Sequence, residues 1–332
     1  MENTLRDKVI LITGGTGSFG KACTKLLLEN YSPKTVRIYS RDELKQSDMR
    51  QEFTDDPRLR FFIGDVRDLN RLKRACEDVD IIIHAAALKQ VPSCEYNPIE
   101  AIRTNVDGAV NVIDVALDNN VKRVVALSTD KAVNPINLYG ATKLCAEKLF
   151  VNANNYRGEK RETIFSIVRY GNVMASRGSV IPLFYKQKEY GELTITDLAM
   201  TRFWITLPQA VDLVLRSIDL MREGKILIPK LPSMRISDLA HVIAPNARIK
   251  IIGQRPGEKI HEYLITKEEA RYTYEENDSY IIAPHSISKV LKKNSTKYQG
   301  KKVEKNFEYN SMDNPWYLKK SEISRLLLTL TI

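Results

Sequence analysis

Tyr139 and Lys143 stand four residues apart in a segment whose residue types suit proton transfer. In a helix this spacing puts both side chains on one face, one turn apart. A phenol beside an ammonium group has its anionic form favoured. Tyr139 is therefore a candidate base that accepts the proton of a sugar or alcohol hydroxyl near neutral pH.

The residues that precede this pair add an acid and a second amine. The apolar run at residues 124–127 predicts a buried strand, and the end of that strand delivers Thr129, Asp130 and Lys131 to the same place. A simple alcohol dehydrogenase has no need of this additional acid and amine. The surplus indicates a reaction with a further acid–base step.

The length and composition are those of a folded protein with a large core. The 332 residues are 43% hydrophobic and 28% charged, enough for one large α/β domain and a smaller lobe. The apolar runs are far shorter than the roughly 20 residues that cross a bilayer, so no membrane span is expected. A charged N-terminus that enters a strand-like segment by Val9 leaves no room for a signal peptide. Four scattered cysteines without a C-x-x-C pair favour the reducing cytoplasm.

The formal net charge of +10 is concentrated near the C-terminus. Residues 286–332 hold ten Lys and Arg against four Asp and Glu, a net of +6, which leaves +4 for the rest of the chain. Few aromatic residues are interleaved with these cations. We interpret the segment as a solvated tail face, the alternative being an anionic partner such as nucleic acid or a membrane surface. No nucleic-acid partner is expected.

The first half of the chain alternates short apolar runs with amphipathic stretches, the pattern of a parallel sheet flanked by helices. Right-handed crossovers make this α/β fold a Rossmann-like doubly wound parallel sheet, followed by a smaller C-terminal substrate-binding lobe. The predicted strands are residues 8–13, 35–39, 59–64, 81–84, 123–127 and 163–168. The predicted helices are residues 17–30, 67–76, 99–119 and 138–154.

A glycine-rich segment, residues 13–20, follows the first predicted strand and opens the first helix. Its spacing, G-x-x-G-x-x-G, is a variant of the dinucleotide-binding fingerprint. The glycines permit a tight turn and a close approach of the backbone to a pyrophosphate, whose charge is met by amides at the helix N-terminus. The residues predicted to bind the cofactor here are Thr13, Gly14, Gly17, Ser18, Phe19 and Gly20.

The end of the second predicted strand carries Ser40 and Arg41, with Lys45 one turn later. An acidic residue at this place holds the ribose hydroxyls of NAD, whereas an arginine suits the 2′-phosphate of NADP. We therefore expect NADP, bound by these three residues. Two alternatives stay open: Asp42 could bind a ribose, and Arg41 could be a solvated residue with a local ion-pair partner.

Two further strand ends are predicted to touch the cofactor. Asp65 and Val66, after the third strand, fit an adenine contact, and Ala85 and Ala86, after the fourth, lie where the cofactor passes. His84 precedes them, and we expect a hydrogen-bonded histidine at a strand end rather than a catalyst.

Metal catalysis is not expected, because the histidines have no spacing typical of ligands. They are His84, His241, His261 and His285. A nucleophilic cysteine is equally unsupported, since no histidine is near any cysteine in sequence. Asn105, within the long predicted helix, is left open as structural, as a member of a proton relay, or as neither.

The chain is expected to divide into three parts. Residues 1–170 form an NADP-binding Rossmann domain, to which some later segments return. After residue 170 several prolines separate shorter elements, which predicts a substrate-binding lobe at residues 171–285. Residues 286–332 form a basic C-terminal extension with a short helix at residues 321–328.

The glycine motif, Tyr139, Lys143 and the elements between them resemble the extended short-chain dehydrogenase/reductase superfamily. A finer resemblance, to the inverting UDP-N-acetylglucosamine 4,6-dehydratases, is carried by seven blocks that span much of residues 8–285. These enzymes begin pathways to pseudaminic acid or to L-sugars of capsule and O-antigen. The blocks are residues 40–46, 84–89, 128–131, 137–143, 169–172, 200–204 and 253–262.

The resemblance implies loss of water from UDP-N-acetylglucosamine, with inversion at C5 and with the nicotinamide restored at the end. It implies that Tyr139 accepts the C4 hydroxyl proton, while Lys143 lowers the pKa of the phenol and holds the nicotinamide ribose. Retaining relatives have Asp-Glu where this chain has Asp130 and Lys131. We assign Lys131 as the C5 base and Asp130 as the acid that protonates the departing C6 hydroxyl. Burial and nearby cations are expected to keep Lys131 neutral.

The same resemblance implies a set of residues around the sugar and the nucleotide. Thr129 is assigned a hydrogen bond to the C4 hydroxyl, the alternative being a strand-end threonine bonded to backbone. Arginine forks suit a diphosphate, and a glutamate can accept from ribose hydroxyls, although each such residue could be an ordinary surface ion pair. The residues expected at the substrate are Lys89, Asn172, Thr196, Met200, Arg202, Arg255 and Glu258.

Two other functions compete with this interpretation. A nucleotide-sugar 4-epimerase needs Tyr139 and Lys143 but has no use for an acid–base pair at Asp130 and Lys131. A non-catalytic NADP-binding regulator would sense the cofactor and leave that pair unexplained. A homo-oligomer is expected, since helices flanking the site often form dimer bundles in this superfamily.

Overall fold

The computed structural model describes residues 2–155, 157–158, 161–176, 178–220, 224–283 and 300–330. The segment 284–299 lies outside the described residues. It carries His285 and the first part of the predicted basic extension.

Strands and helices alternate through the first half of the chain. The strands are β1 (Val9–Thr13), β2 (Thr35–Ser40), β3 (Leu59–Ile63), β4 (Ile81–His84), β5 (Arg123–Thr129) and β6 (Ile164–Tyr170). The helices are α1 (Glu2–Leu5), α2 (Ser18–Asn30), α3 (Glu43–Glu52), α4 (Leu69–Ala75), α5 (Val91–Tyr96), α6 (Pro98–Ile102), α7 (Gly108–Asp118) and α8 (Leu138–Ala153). A π-helical turn (Arg103–Asp107) joins α6 to α7, and a 3-10 turn (Asp130–Ala132) follows β5.

The second half contains shorter strands and fewer helices. The strands are β7 (Asn172–Val173), β8 (Glu192–Ile195), β9 (Thr201–Ile205), β10 (Ile226–Pro229), β11 (Ser233–Arg235), β12 (Arg248–Ile251), β13 (Tyr263–Ile265), β14 (Thr273–Glu275), β15 (Ser279–Ile282), β16 (Lys301–Lys302) and β17 (Tyr309–Asn310). The helices are α9 (Val180–Lys188), α10 (Leu207–Asp219), α11 (Ile236–Ile243), α12 (Lys267–Ala270) and α13 (Lys320–Leu328).

Ten strands form the main sheet, in the order β16-β14-β15-β10-β6-β5-β4-β1-β2-β3. Strands β1 to β6 and β10 pair in parallel, whereas β14, β15 and β16 pair antiparallel. The order β3-β2-β1-β4-β5-β6 is that of a doubly wound dinucleotide-binding fold. The predicted Rossmann-like α/β fold is confirmed, and strands beyond residue 170 extend its sheet.

The central strands are buried because helices cover both faces of a parallel sheet. Every residue of β1 and of β4 is buried. Such strands read as continuous apolar runs, which is why the sequence predicts them well. Their carboxyl ends meet at one edge of the sheet, where Thr13, Ser40, Asp65, Ala85 and Asp130 lie.

A second apolar core lies in the smaller lobe, where β8, β9, α9, α11 and α13 contribute buried side chains. The C-terminal residues take part in both cores. β16 pairs with β14 at the edge of the main sheet, and β17 pairs with β13. Leu318, Ile323 and Leu327 pack into the small-lobe core. Residues 300–330 are therefore integral to the fold, although composition marks them chiefly as basic.

Some helices differ from the sequence-based expectation. The predicted helix at residues 99–119 contains a π-helical turn between α6 and α7. Helices α3 and α5 are additional. α3 is almost wholly polar, and α5 is only six residues long with Pro92 in its first turn, so neither has a clear apolar period. In the part of the chain that the structure describes, no helix has the length and apolar character needed to traverse a bilayer.

Candidate active site

The carboxyl end of β5 and the start of α8 bring the acid–base residues together. Thr129 ends β5, and Asp130 and Lys131 form the 3-10 turn that follows. Asn137 caps α8, and its Oδ1 accepts a hydrogen bond of 2.7 Å from the amide of Gly140. A Cβ atom at Gly140 would collide with the carbonyl oxygen of Lys131. Glycine therefore allows the helix to pack directly against the turn.

Asp130 and Lys131 form a buried ion pair. Lys131 Nζ lies 3.0 Å from Asp130 Oδ1, and Thr129 Oγ1 donates to the same oxygen at 2.9 Å. Asp130 is fully buried, and its Oδ2 has no hydrogen-bond partner among the described residues. An unpartnered carboxylate oxygen is costly to bury. This oxygen is thus available to a proton or to a donor that enters with a ligand.

Two further oxygens surround the Lys131 amine. Nζ lies 3.3 Å from Asn172 Oδ1 and 3.4 Å from Glu262 Oε1. Burial disfavours the ammonium, but Asp130 and Glu262 outweigh burial and raise the pKa of Lys131 above its ordinary value. The expectation that Lys131 is neutral is therefore wrong. Two carboxylates hold it charged: Asp130, its neighbour in sequence, and Glu262, which the sequence did not reveal.

Tyr139 lies beside this pair, and burial raises the pKa of its phenol to about 12. The cation that acts to lower this pKa is Lys131, and a side-chain hydrogen bond with Thr129 acts in the same direction. Lys143 instead donates a hydrogen bond of 2.6 Å to the carbonyl oxygen of Leu127. Lys131 thus acts electrostatically on the phenol in the way that we predicted for Lys143.

Burial also acts on the Lys143 amine. It lowers the pKa of Lys143 to about 8, although the carboxylate of Glu147, one helical turn further, opposes this shift. Lys143 therefore changes charge close to neutral pH, while it stays on the same helix face as Tyr139.

The glycine motif leaves the N-terminus of α2 open. Gly14 has φ +67°, and a Cβ atom there would lie 2.9 Å from the backbone of Ala86. Gly17 caps α2 without a side-chain hydrogen bond, and both Gly17 and Ser18 are exposed. The first amides of the helix face the point between β1 and β4 where the strand order reverses. This arrangement fits the pyrophosphate of a dinucleotide.

The end of β2 presents two cations near the surface. The Arg41 side chain is 54% exposed, and its Nη1 lies 3.4 Å from Asp65 Oδ2. Lys45 Nζ lies 2.5 Å from Asp42 Oδ2. Asp42 also caps α3 by accepting from the Lys45 amide. The side-chain hydrogen bond from Lys45 lowers the pKa of Asp42. Ser40, in contrast, is buried and bonded to Thr16. The Asp42 carboxylate is thus used as a helix cap.

The end of β3 is held by an arginine. Arg67 Nε and Nη2 donate to Asp65 Oδ2 at 2.9 and 2.7 Å, and the Tyr39 hydroxyl donates to the Asp65 carbonyl. Burial acts to raise the pKa of Asp65, but the bonds from Arg67 outweigh it and hold the pKa below its ordinary value. Val66 is buried beside Asp65. The adenine contact of these residues stays a prediction.

The ends of β1 and β4 are joined by a threonine. Thr13 Oγ1 lies 2.8 Å from His84 Nδ1 and accepts from the Ala86 amide, and the Ala85 amide donates to the Thr13 carbonyl. Burial, followed by the charge of Lys143, lowers the pKa of His84 to about 3. His84 is therefore a neutral, hydrogen-bonded histidine at a strand end, as expected from the sequence.

Asn105 has a structural role in the π-helical turn. Its amide group donates to the Leu88 carbonyl at 2.9 Å and to Thr142 Oγ1 at 3.0 Å, and its carbonyl accepts from the Leu88 amide at 2.8 Å. Thr142 in turn donates to the carbonyl of Tyr139. Asn105 thereby ties the segment after β4 to α8, the helix that carries Tyr139.

Among the predicted substrate residues, Asn172 reaches the acid–base pair directly. Arg202 is buried, and its guanidinium donates to the carbonyls of Thr201, Lys259 and Ile260 at 2.7 to 3.0 Å. In this state Arg202 orders the loop before β13 rather than facing an open surface. A role at the diphosphate would require these bonds to be exchanged.

The remaining predicted substrate residues are divided between surface and core. Arg255 is half exposed, and its Nη1 lies 3.9 Å from Glu258 Oε1 on the same loop. Lys89 is exposed. Met200 is buried in the small-lobe core and accepts from Thr196 Oγ1 at 3.4 Å. Met200 is thus a packing residue here, and its contact with substrate stays a prediction.

Sequence reasoning missed two residues of the site, Glu262 and Lys259. Glu262 is buried beside Lys131, and Lys259 Nζ donates to the Val133 carbonyl at 2.5 Å. Both lie in the block 253–262 that carries part of the resemblance, which was the only signal for them. Within the described residues, no group of three or more His, Cys, Asp and Glu side chains is placed to hold a metal ion.

Comparison with known proteins places the chain in a family. Residues 10–284 match the family described as "Polysaccharide biosynthesis protein". The chain is 54% identical over 327 residues to the "UDP-N-acetylglucosamine 4,6-dehydratase (inverting)" of Campylobacter jejuni, covering 96% of this chain and 97% of that protein. It is 44% identical over 334 residues to a "UDP-glucose 4-epimerase" of Rickettsia canadensis, covering 98% and 96%.

A solved structure supports the same grouping. The fold matches the X-ray structure of Pen from Bacillus thuringiensis with a TM-score of 0.89 and 40% identity, covering 98% of this chain and 100% of that one. The chain therefore belongs to the polysaccharide biosynthesis protein family of extended short-chain dehydrogenases/reductases, and within it to the group of the inverting UDP-N-acetylglucosamine 4,6-dehydratases.

Proposed function

We propose that this enzyme is a lyase that removes water from UDP-N-acetylglucosamine across C5 and C6 and inverts C5. The product is UDP-2-acetamido-2,6-dideoxy-L-arabino-4-hexulose, a precursor for bacterial surface glycans or flagellin sugars. The observation that carries the proposal is the buried pair of Asp130 and Lys131 beside Tyr139. The dehydratase-named relatives support the choice of sugar nucleotide.

The cofactor in this proposal is NADP, held by the glycine motif and by the end of β2. Arg41 and Lys45 supply positive charge for a 2′-phosphate, while Asp42 is used as a helix cap. When bound, the nicotinamide supplies a hydride acceptor for C4 and later returns the hydride to C6, so no external reductant is consumed.

Tyr139 accepts the proton of the C4 hydroxyl as the 4-ketone forms. Burial raises the pKa of its phenol to about 12, and the Lys131 ammonium acts to lower this pKa, as the reaction requires. Lys143 holds the nicotinamide ribose and, when charged, adds a second cation on the same helix face. The 4-ketone then acidifies the proton at C5.

The ion pair can supply both an acid and a base by one internal proton transfer. A proton that moves from Lys131 Nζ to Asp130 Oδ1, across 3.0 Å, leaves a neutral amine and a neutral carboxylic acid. Lys131 then takes the C5 proton, and the C5–H electrons form the C5–C6 double bond. The C6–O bond breaks as Asp130 protonates the departing hydroxyl, which leaves as water. This step restores the original ion pair. Hydride addition at C6 leaves an enolate, and a solvent-derived proton that reaches C5 from the opposite face completes the product with C5 inverted.

The proposal is tested by incubation with UDP-N-acetylglucosamine and NMR of the product. A C6 methyl signal together with the L-arabino configuration at C5 supports it. A product that keeps the C6 hydroxyl and has C4 inverted identifies a 4-epimerase. This is the second candidate function, because a Rickettsia relative carries the name UDP-glucose 4-epimerase. Absence of turnover with any UDP-sugar, despite NADP binding, identifies a regulator.

We also propose a homo-oligomer in the cytoplasm. Ile99, Ile102 and Val110 are 37 to 61% exposed and recur along the outer face of α6 and α7, which flank the site. An apolar stripe of this kind suits a second copy of the chain. The four cysteines are free thiols, in keeping with a reducing compartment.

A further inference from the structure

We propose that Glu262 is a positioning residue of the acid–base pair of Asp130 and Lys131. Ser311 holds Glu262 in place, and the negative charge of Glu262 keeps one proton on the pair at alkaline pH. The inference rests on the proposed dehydratase function and adds a residue to it. It also gives the C-terminal segment, which the sequence left without a role, a place in the site.

The first support is the surroundings of the Glu262 carboxylate. Its side chain is 3% exposed, Oε1 lies 3.4 Å from Lys131 Nζ, and Arg202 Nε lies 3.8 Å from the same oxygen. Oε2 lies 3.8 Å from Lys259 Nζ and has no hydrogen-bond partner among the described residues. A buried carboxylate held by ion pairs at this range acts chiefly through its charge.

The second support is how the backbone of Glu262 is fixed. Its amide donates to Ser311 Oγ at 3.0 Å, and the Ser311 amide donates to its carbonyl at 2.9 Å. Ser311 Oγ also lies 2.7 Å from Thr201 Oγ1 on β9. Ser311 follows β17, which pairs with β13 directly after Glu262. The C-terminal segment and the small lobe therefore fix this carboxylate against Lys131.

The consequence concerns the proton that the pair shares. The reactive form, a neutral amine with a neutral acid, holds the same single proton as the resting ion pair. Loss of that proton at high pH leaves a neutral amine beside a carboxylate, and the acid for the C6 hydroxyl is missing. A second negative charge close to the amine opposes this loss. Glu262 therefore extends the active range toward alkaline pH.

Several charged groups face Lys131 and act on its protonation. Asp130 and Glu262 favour the protonated form of Lys131, whereas Arg202 and Lys259 oppose it. The Tyr139 phenol, on α8, titrates in the alkaline range as well. Replacing Glu262 alone removes one carboxylate and leaves each of the others in place.

The test compares Glu262→Gln with Glu262→Asp and with the surface control Glu304→Gln, an exposed residue of the C-terminal segment. The rate of water loss from UDP-N-acetylglucosamine, followed by NMR through the C6 methyl signal of the product, is measured from about pH 8 to pH 11. We expect Glu262→Gln to lose about tenfold in this rate at the alkaline end of the range relative to wild type and the control. Glu262→Asp should fall between them. A profile of Glu262→Gln parallel to that of wild type overturns the proposal.

A second measurement needs neither substrate nor turnover. Nitrogen-15 NMR of lysine-labelled protein, with the Lys131 signal identified by its loss in Lys131→Gln, follows the ammonium of Lys131 directly. The titration of Lys131 should move to lower pH in Glu262→Gln, and to a smaller extent in Ser311→Ala. The Ser311→Ala variant provides the test if Glu262→Gln does not fold. An unchanged titration in both variants contradicts the role of Glu262. Failure of the wild type to dehydrate the sugar, with the titration shifted, refutes the proposed function instead.

Discussion

Arg169 and Glu147 form a bidentate ion pair inside the protein, with Nε–Oε1 and Nη2–Oε2 distances of 3.0 and 2.7 Å. Both side chains are at most 2% exposed. The same guanidinium also bonds both oxygens of Glu269, on α12, and the carbonyl of Leu264. All five donors of Arg169 are thus used, and the pair ties β6 and α12 to α8 one turn beyond Lys143.

Replacement of Arg169 by Met should destabilise the protein strongly. It would leave the buried carboxylate of Glu147 unpaired beside the partly buried carboxylate of Glu269, and breaking a buried ion pair in this way costs about 3–5 kcal/mol. Urea unfolding should report a loss of that size, whereas the exposed control Arg248→Met, whose side chain is 81% exposed, should change little. A loss below about 1 kcal/mol for Arg169→Met would mean that the triad does not stabilise the fold.

Lys143 gives a prediction for stability against pH. Its pKa is lowered from 10.5 to about 8 by burial. Between these values the unfolded chain binds more protons than the folded one, so the free energy of unfolding rises with pH. The free energy of unfolding of wild type, relative to that of Lys143→Gln, should therefore rise by about 1–3 kcal/mol between about pH 8 and about pH 10.5.

The control for this measurement is Lys148→Gln, an exposed lysine on the same helix. The difference in free energy of unfolding between Lys148→Gln and wild type should stay constant over the same range of pH. A constant difference for Lys143→Gln as well would show that Lys143 titrates normally in the folded protein.

Arg41 should decide the choice between the two nicotinamide dinucleotides. Arg41→Ala removes a cation suited to the 2′-phosphate, so affinity for NADP should fall by about 10–100-fold while affinity for NAD changes little. Calorimetric titration of both dinucleotides measures this, with Arg60→Ala, an exposed arginine on β3, as control. An equal loss of affinity for NADP and NAD would mean that Arg41 contributes to folding or to the overall positive charge of the site, and not to the choice between the two dinucleotides.

Much of the fold could be predicted from the sequence because the parallel strands are local apolar runs between amphipathic helices. The strand predicted at residues 81–84 coincides with β4, and the glycine motif lies where β1 meets α2. The π-helical turn at Arg103–Asp107 could not be predicted, since the bonds of Asn105 within it go to Leu88 and Thr142, which no local pattern links to it.

The candidate site was predictable where its residues share one segment. Asp130, Lys131 and Tyr139 lie within ten residues of one another, so their proximity follows from a strand, a turn and a helix. Glu262 reaches Lys131 from 131 positions away, through a loop that a C-terminal residue fixes. Asp130 and, after it, this distant carboxylate hold Lys131 charged, which is why the expectation of a neutral amine was wrong.

Lys131→Gln should separate cofactor binding from chemistry. The amine lies next to Asp130 and away from the glycine motif, so NADP affinity should stay near that of wild type. Hydrogen exchange at C5 should fall by at least about 100-fold, because no base remains to take that proton. Undiminished exchange would remove Lys131 from the mechanism.

The most direct test of the dehydratase account is the reaction of the wild-type enzyme with UDP-N-acetylglucosamine in deuterated water, followed by proton NMR. The account predicts a 4-keto sugar with a C6 methyl group, deuterium at C5 and inverted configuration at that carbon. A product that retains its C6 hydroxyl, or unchanged substrate in the presence of NADP, would contradict it.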